Sequence, residues 1–432
     1  MSDRSGTLRR ELGVVGATMM GLGSIVGTGI FVSVGVAAGA AGPAVILAVV
    51  LAAGVATCNA FSSAQLAAVH PVSGGTYEYG YEFLHPALGF TAGWTFLCAK
   101  SASAATAALG FAGYLLHLLG SEAGAWMPVL AVGGVAGLTA VVATGMRRSN
   151  MTNIAVVSVT LAALVALVVA GAVPLVETGT EHLRPFFDAP GEGAWSDGRG
   201  LLYATALMFV AYTGYGRVAT LAEEVKDPSR AIPRAIVATL VVTALLYVAV
   251  ATVGVGTVGS EALARATEGR AAPLEEVARR MAVPGLPTLV AVGAVTAMLG
   301  VILNLILGLS RVMLAMGRRR DLPRATARLD VDGTTPWVAV LVSGGLIAGL
   351  AATGDVETTW SFSAFTVLVY YAITNLAALQ LDDDQRLFGR FFPWAGLVGC
   401  LFLAFWVRPA VWLTGLGIIA AGLAWHLFRQ RG

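Results

Sequence analysis

The stretch that decides the fold is Gly21-Leu22-Gly23-Ser24-Ile25-Val26-Gly27-Thr28-Gly29-Ile30-Phe31. It lies inside an almost uncharged run from Leu12 to about Cys58, which is long enough to enter a membrane. Four of the nine residues from Gly21 to Gly29 are glycine, and a glycine inside a helix costs about 1 kcal/mol relative to alanine. The pattern therefore predicts a helix that is interrupted in mid-membrane. Because lipid cannot satisfy free backbone N–H and C=O groups, we expect the interruption to line a cavity.

The composition is that of a membrane protein. Of the 432 residues, 57% are apolar and 12% are charged, whereas soluble domains contain about 25% charged residues. The lipid bilayer is therefore the expected environment, and the net charge of +2 gives no sign of a nucleic-acid partner. Cys58, Cys98 and Cys400 all lie in apolar runs, which predicts small buried side chains and no disulfide. We expect no cofactor and no metal ion.

Twelve apolar segments predict an all-α membrane protein with twelve transmembrane helices. Their approximate limits are 12–40, 43–69, 87–119, 126–145, 151–173, 200–222, 234–258, 286–316, 336–353, 359–380, 391–407 and 410–428. The chain then divides into a tail, a first set of five helices, a connecting outer loop, a second set of five helices, and helices 11 and 12. The corresponding residues are 1–11, 12–173, 174–199, 200–380 and 391–428. Within a second long outer loop, Ala272–Ala282 is predicted to form a short helix over the outer mouth.

The distribution of lysine and arginine predicts the orientation of the chain. With the N-terminus inside, the cytoplasmic segments contain 17 basic residues and the outer segments contain 7. The other three of the 27 are Lys100, Arg217 and Arg311, which lie within or at the edge of spans. We therefore expect an integral plasma (inner) membrane protein that crosses the membrane many times and has both termini in the cytoplasm.

A second interruption is predicted in span 6, at Phe209–Arg217. Spans 1 and 6 are the first members of two sets of five, and five is an odd number, so the second set runs through the membrane inverted. Interrupted helices at matching positions of two inverted repeats point to a central transporter site.

The two interruptions offer opposite poles to a ligand. The outer half of span 1 begins with free N–H groups near Gly27, Thr28 and Gly29, and a helix N-terminus attracts a carboxylate. Carbonyl groups near the end of the inner half, and in span 6, attract an ammonium group. Such a pair of poles is a receptor for an α-amino acid, and the alternative is that the glycines only allow tight helix packing. The predicted substrate-binding residues are Ser24, Ile25, Gly27, Thr28, Gly29, Phe209, Val210, Tyr212 and Gly214.

Four segments resemble the amino acid permeases of the amino acid–polyamine–organocation superfamily. Gly21–Phe31 is similar to the signature G-x-G-x-I-x-G-[ST]-G-I-F, and Pro71–Tyr77 to P-x-[SA]-G-G-x-Y. Ala222–Ile236 is similar to A-E-E-x-K-[ND]-P-x-R-x-I-P-x-A-I, and Ser310-Arg311 with Asp321-Leu322-Pro323 to the end of the family's eighth helix. The resemblance implies a five-plus-five inverted-repeat fold with discontinuous helices 1 and 6. It also implies amino acid transport by alternating access.

The chain departs from the family pattern at positions that bear on coupling. Gly216 stands where many members have an acidic residue, and Arg217 follows it. Thr160 aligns with a lysine of the family's fifth helix, and Lys100 near the middle of span 3 is a substitute candidate. The alternatives are that Lys100 snorkels or bonds carbonyls for structural reasons, and that Arg217 only pairs with nearby acids. Asn304 of span 8 is a further candidate for coupling or gating.

The leading functional hypothesis is a secondary amino acid transporter. The interrupted helices of spans 1 and 6 and the other spans near the site contain no Asp or Glu, so a small or neutral amino acid is the predicted substrate. Lys100 and Arg217 leave acidic amino acids open, and polyamine-like amines are a further alternative. Transport is expected to be coupled to protons or to proceed by exchange. The other hypotheses are a membrane sensor or channel that binds without transporting, and an enzyme. The last is disfavoured because no nucleophile–base pair or nucleotide motif is present.

Overall fold

The computed structural model describes residues 13–70, 72, 74–121, 124–145, 150–187, 199–216, 225–330 and 335–430. The regular elements of these residues are helices, as predicted. Those of the first half are Val14–Ile25 (α1), Val34–Ala41 (α2), Val45–Val69 (α3), Thr76–Phe83 (α4), Pro86–Leu118 (α5), Trp126–Ala143 (α6), Asn150–Ala170 (α7) and Ala172–His182 (α8). A π-helical turn at Gly29–Ser33 precedes α2, and a 3-10 turn at Gly42–Ala44 follows it.

The described residues of the second half are also helical. Its helices are Arg199–Tyr212 (α9), Pro228–Val258 (α10), Ser260–Arg270 (α11), Pro273–Arg280 (α12), Leu286–Arg318 (α13), Trp337–Ala351 (α14), Val356–Ala378 (α15), Phe391–Ala404 (α16) and Pro409–Gln430 (α17). Short 3-10 turns lie at Thr213–Tyr215 and Arg324–Ala327.

Seven segments of the described residues are long and apolar enough to cross a membrane. They are Val14–Val69, Trp126–Ala143, Met151–Glu177, Arg230–Val258, Leu286–Arg318, Val356–Ala378 and Pro409–Arg429. Two shorter apolar helices, α14 and α16, accompany them. The chain is therefore a multi-pass membrane protein, while the arrangement in twelve spans stays a prediction.

The outer surface of the helices carries large apolar side chains. Val169 on α7 and Leu245 on α10 are 68% and 69% exposed, and Val398 on α16 is 61% exposed. Contiguous apolar surface of this kind is rare on proteins that face water. These faces are suited to contact with lipid.

Helix α5 lies at the centre of the fold, where it packs against α4, α6, α13, α14, α15 and α17. Its middle turns present small buried side chains, among them Ala99, Ala102, Ala104 and Ala105. Small residues let neighbouring backbones approach closely, which is the main source of helix association in a membrane. Because α5 touches helices of both halves, any side chain that it directs inward lies near the middle of the molecule.

Local sequence signals explain where the long helices begin and end. Pro86 occupies the first turn of α5, where a missing N–H costs nothing, and His85 Nδ1 accepts a hydrogen bond from the Ala87 N–H at 3.2 Å. Asp355 caps α15 by accepting from the Thr358 N–H at 2.9 Å. Helix α10 stops at Gly259, whose φ of +80° is a conformation that glycine adopts without strain.

Several short helices distinguish the structure from the predicted pattern. A short helix was predicted within Ala272–Ala282, and α12 confirms it. The segment 174–199 was predicted as a loop, yet its first part is helical because α8 continues from α7 after Gly171. Helices α4 and α11 were not predicted, since each is too short and polar to give an apolar signal.

A buried carboxylate fastens α4 to two other helices. Asp321, just beyond α13, is 6% exposed and accepts hydrogen bonds from the hydroxyls of Tyr77 and Tyr81, both at 2.7 Å. Its second oxygen lies 3.1 Å from Nδ1 of His426 on α17, and its carbonyl accepts from Trp425 Nε1 at 3.1 Å. Burial, followed by the hydrogen bond to Asp321, raises the pKa of both tyrosines well above the ordinary value. Both hydroxyls therefore remain donors at neutral pH.

We expect Asp321→Ala to destabilise the protein by about 3 kcal/mol, because the change leaves several buried polar groups without their acceptor. The apparent melting temperature in detergent should fall by about 3 °C. The matched control is Asp384→Ala, which removes an exposed carboxylate. Equal melting temperatures for the two variants would contradict a structural role for the Asp321 cluster.

Candidate functional site

The helix that contains the glycine-rich stretch is interrupted, as the sequence predicts. Helix α1 ends at Ile25, and Val26 has an extended conformation with φ −75° and ψ 99°. Val26 is the last residue to donate into α1, and Ile30 and Phe31 both donate to the Gly27 carbonyl at 3.1 Å. Within the described residues, the N–H groups of Gly27, Thr28 and Gly29 donate no backbone hydrogen bond. Three adjacent donors are thus available at the start of the second half of the helix.

A second interruption follows α9. The α-helix ends at Tyr212 and passes into the 3-10 turn Thr213–Tyr215. Within this turn, the Thr213 hydroxyl donates to the Val210 carbonyl at 2.8 Å, and the Thr213 carbonyl accepts from the Tyr371 hydroxyl at 3.1 Å. The side chains of other helices therefore hold the turn in place.

The two interruptions touch each other through glycines. A Cβ atom on Gly214 would lie 2.2 Å from the Ser24 carbonyl oxygen, and one on Gly29 would lie 2.2 Å from the Cβ of Ala211. The Tyr247 hydroxyl bridges the two segments, because it lies 2.8 Å from the Ile25 carbonyl and 3.4 Å from that of Ala211. The glycines therefore serve close packing, and the packing brings the free N–H groups of the first interruption close to the second interruption.

A cavity of about 160 Å³ lies where the interruptions meet. Its wall combines residues of α1, the π-helical turn, α5, α9, α13 and α15 with the segment that leads into α4. The described lining residues are Ser24, Ile25, Thr28, Gly29, Ser63, Gly74, Gly75, Thr76, Tyr79, Phe96, Lys100, Ser103, Val210, Ala211, Thr213, Gly214, Gly216, Val301, Asn304, Leu305, Gly308, Arg311, Val312, Trp360, Tyr370 and Tyr371.

One buried hydroxyl in the wall has no hydrogen-bond partner among the described residues. Thr28 is 3% exposed, and its Oγ1 makes no hydrogen bond with the described part of the chain. It lies beside the free N–H groups of the first interruption. A buried hydroxyl without a partner costs free energy, so its position fits a ligand that supplies an acceptor.

A lysine lies in the same wall. Lys100 on α5 is 8% exposed, and its ammonium group donates to the Thr213 hydroxyl at 2.9 Å. The described lining includes no Asp or Glu, and no ion pair among the described residues involves Lys100. The lysine thus reaches the second interruption and faces the cavity without a negative partner.

The structure brings most of the predicted site residues together. Ser24, Ile25, Thr28, Gly29, Val210 and Gly214 line the cavity, and so do the coupling candidates Lys100 and Asn304. Gly27 does not line it, although a Cβ there would lie 2.7 Å from Val301, which does. Arg217 falls outside the described residues.

Three predicted residues lie away from the cavity wall. Phe209 is fully buried with its ring edge-on to Tyr371, and the Tyr212 hydroxyl donates to the Val49 carbonyl at 3.3 Å. Thr160 lines a separate void of about 10 Å³ beside Gly23, and its hydroxyl donates to the Val156 carbonyl at 2.9 Å. These three side chains are already engaged within the protein.

The sequence reasoning missed the aromatic part of the wall. Tyr370 and Tyr371 on α15, Trp360 on the same helix, and Phe96 on α5 all line the cavity. The adjacent tyrosines in an apolar span are a sequence signal that was available. Their contact with the interruption of α9 depends on the packing of distant segments, which the sequence alone does not indicate.

Known proteins resemble this chain over nearly its whole length. The family model described as amino acid permease matches residues 16–420. An uncharacterized transporter of Mycobacterium tuberculosis is 42% identical over 98% of this chain and 92% of its own. A branched-chain amino acid permease of Bacillus subtilis is 29% identical over 96% and 92%. A methylthioribose transporter of the same organism is 26% identical over 99% and 95%.

The motif resemblance is therefore confirmed by a match that covers all the cavity-lining segments. The relatives carry names of transporters and permeases. The chain belongs to the amino acid permease family of the amino acid–polyamine–organocation superfamily and is a multi-pass membrane transporter.

Proposed function

We propose that this protein is a secondary active transporter of amino acids that works by alternating access. The observation that carries the proposal is the meeting of two interrupted helices at one cavity. There, unbonded N–H groups at Gly27–Gly29 and the unpaired Thr28 hydroxyl lie beside carbonyl groups at the end of α1.

The proposed binding mode uses the two poles of the interruption in α1. The N–H groups and the Thr28 hydroxyl bind the α-carboxylate of the substrate, because a helix N-terminus carries about half a positive charge. The Ser24 carbonyl lies at the negative end of α1 and binds the α-ammonium group. Val210 of the second interruption also lines the cavity, and its carbonyl, which accepts from the Thr213 hydroxyl, is the proposed second acceptor for the ammonium group.

The inverted repeat is supported by lengths that recur in the two halves. Helices α5 and α13 each have 33 residues, and the short helices α4 and α12 that precede them each have 8. Each interruption falls in the first long helix of its half. Helices related in this way exchange roles when a transporter opens to one side or the other.

Contacts of the short helices follow the same relation. Helix α4 binds the end of α13, through the Glu78–Arg319 ion pair and the Tyr77–Asp321 hydrogen bond. Helix α12 binds the end of α5: Glu275 lies 2.5 Å from His117 Nε2, and the Leu274 N–H donates to the Tyr114 hydroxyl at 3.3 Å. We infer that α4 and α12 close opposite mouths of the cavity, with α4 and both termini on the cytoplasmic side of the plasma membrane.

The cavity favours some substrates over others. Its volume suits a small amino acid, and the name of the branched-chain relative supports the predicted neutral class. A polyamine-like amine is disfavoured, because the described lining offers it no carboxylate and contains Lys100 and Arg311. Small amino acids with a neutral or an acidic side chain therefore remain as the candidate substrates.

Lys100 is the proposed proton carrier. The guanidinium of Arg311, the other basic side chain of the described lining, stays charged across the physiological range. A lysine can release and regain a proton as its surroundings change during the cycle. Asn304, Thr160 and Arg217 are secondary candidates for coupling or gating.

Purified protein in liposomes is expected to exchange labelled amino acids with internal unlabelled ones, and a more acidic outer solution should accelerate net uptake. Lys100→Ala should retain exchange of neutral amino acids and lose the response to the pH gradient, because the proton carrier is gone. Binding without counterflow for any of the twenty amino acids would instead select a sensor, and neither binding nor counterflow would reject the proposal. A normal pH response in Lys100→Ala would reject the role of the lysine.

Binding should depend on the glycines at which the interruptions touch. We expect Gly214→Ala and Gly29→Ala to weaken amino acid binding at least about tenfold, because the new methyl group forces the two segments apart. Gly308→Ala is the matched control, since Gly308 lines the cavity and its Cβ would meet no atom within 4 Å. Calorimetric titration in detergent measures the affinity, and near-normal affinity in both test variants would limit the glycines to a packing role.

A further inference from the structure

The cavity wall contains a buried lysine that has no acidic partner among the described residues. Lys100 is only 8% exposed. Its ammonium group has one described hydrogen bond, which it donates to the uncharged Thr213 hydroxyl. None of the ion pairs in the described part of the chain involves it. A buried charge without a counter-charge is strongly unfavourable, so an occupant that supplies one is favoured.

Among the described residues, no acidic side chain of the cavity wall provides that counter-charge. The described lining contains two cationic side chains, Lys100 and Arg311, and no carboxylate. The hydroxyl of Ser103, one turn from Lys100 on α5, already pairs with Ser363 at 2.6 Å. An anionic group placed beside Lys100 would therefore gain more than a neutral or a cationic group.

The position of Lys100 separates it from the groups that recognise the amino acid backbone. Its partner Thr213 is adjacent to Gly214, which lies against the Ser24 carbonyl. The free N–H groups that serve a carboxylate lie on the other interruption, at Gly27–Gly29. The Lys100 ammonium group thus lies beside the groups that bind the α-carboxylate and the α-ammonium group of the substrate, without being one of them. We therefore expect it to face the side chain of the substrate.

We propose that Lys100 binds a side-chain carboxylate, and that the substrates are acidic amino acids of the size of aspartate and glutamate. This inference rests on the proposed amino acid transport, and it selects the acidic class over the neutral one. Only the protonated lysine forms an ion pair with the carboxylate. The substrate-bound state of the transporter therefore contains both the proton on Lys100 and the acidic substrate. Lys100 then determines specificity as well as coupling.

The test compares each acid with its amide, which has nearly the same shape and lacks the charge. Counterflow in liposomes of the wild-type protein is measured for aspartate against asparagine and for glutamate against glutamine. We expect each acid to be half-saturating at a concentration at least about tenfold lower than its amide. Equal or better exchange of the amides would overturn the inference while leaving amino acid transport intact. Absence of exchange for every amino acid would overturn the proposed function itself.

A variant of Lys100 tests whether this lysine causes the preference for acids over amides. Lys100→Met keeps an unbranched side chain one atom shorter than lysine and removes the charge, and it should lose the preference for the acids while still exchanging the amides. The matched control is Lys226→Met, which changes the only other lysine of the chain, an exposed one, and should keep the acid preference. Equal weakening of acids and amides in Lys100→Met would place the α-carboxylate at the lysine and overturn the inference. If Lys100→Met does not fold, the wild-type acid-to-amide ratio still decides.

Discussion

The close approach of two interrupted helices is the constraint on which the rest of the structure depends. A Cβ on Gly214 or on Gly29 would lie 2.2 Å from an atom of the opposite segment, so only glycine fits at either contact. The approach brings the unbonded N–H groups at Gly27–Gly29 to one small cavity that both segments line. The hydroxyls of Tyr247 and Tyr371 donate hydrogen bonds to the carbonyls of Ile25 and Thr213, and these bonds stabilise the two interruptions. Packing and ligand recognition are therefore two consequences of the same glycines.

The remaining helices position this meeting point between two fastened ends. Helix α5 crosses the centre, and short helices are bonded to the ends of α5 and α13 through Glu275 and Asp321, which are 3% and 6% exposed. Buried carboxylates with several donors are costly to separate and also define one geometry. Transport by alternating access would require these ends to loosen in turn, while the glycine contact between the interrupted helices stays in place. In an inverted-repeat transporter, the binding site is expected to stay fixed while the two openings of the cavity move in turn.

The features that depend on local residue chemistry could be predicted from the sequence. The interruption at Gly21–Gly29, the burial of Lys100 and the short helix α12 follow from residue type and spacing. Side-chain direction around the cavity did not follow, because it is set by helices distant in the chain. Phe209 and Tyr212 turn toward Tyr371 and Val49, whereas Tyr370, Tyr371 and Trp360 of α15 occupy the wall. Short polar helices such as α4 were missed because their stability comes from contacts such as the one with Asp321.

The central claim is that the interruptions recognise the two charged groups common to all amino acids. The most direct measurement is calorimetric binding of three matched ligands: an amino acid that is transported, the carboxylic acid that lacks its amine, and the amine that lacks its carboxylate. The account predicts that each truncated ligand binds at least about a hundredfold more weakly, because each leaves one buried pole without its partner. Binding of either truncated ligand within about threefold of the intact amino acid would contradict it.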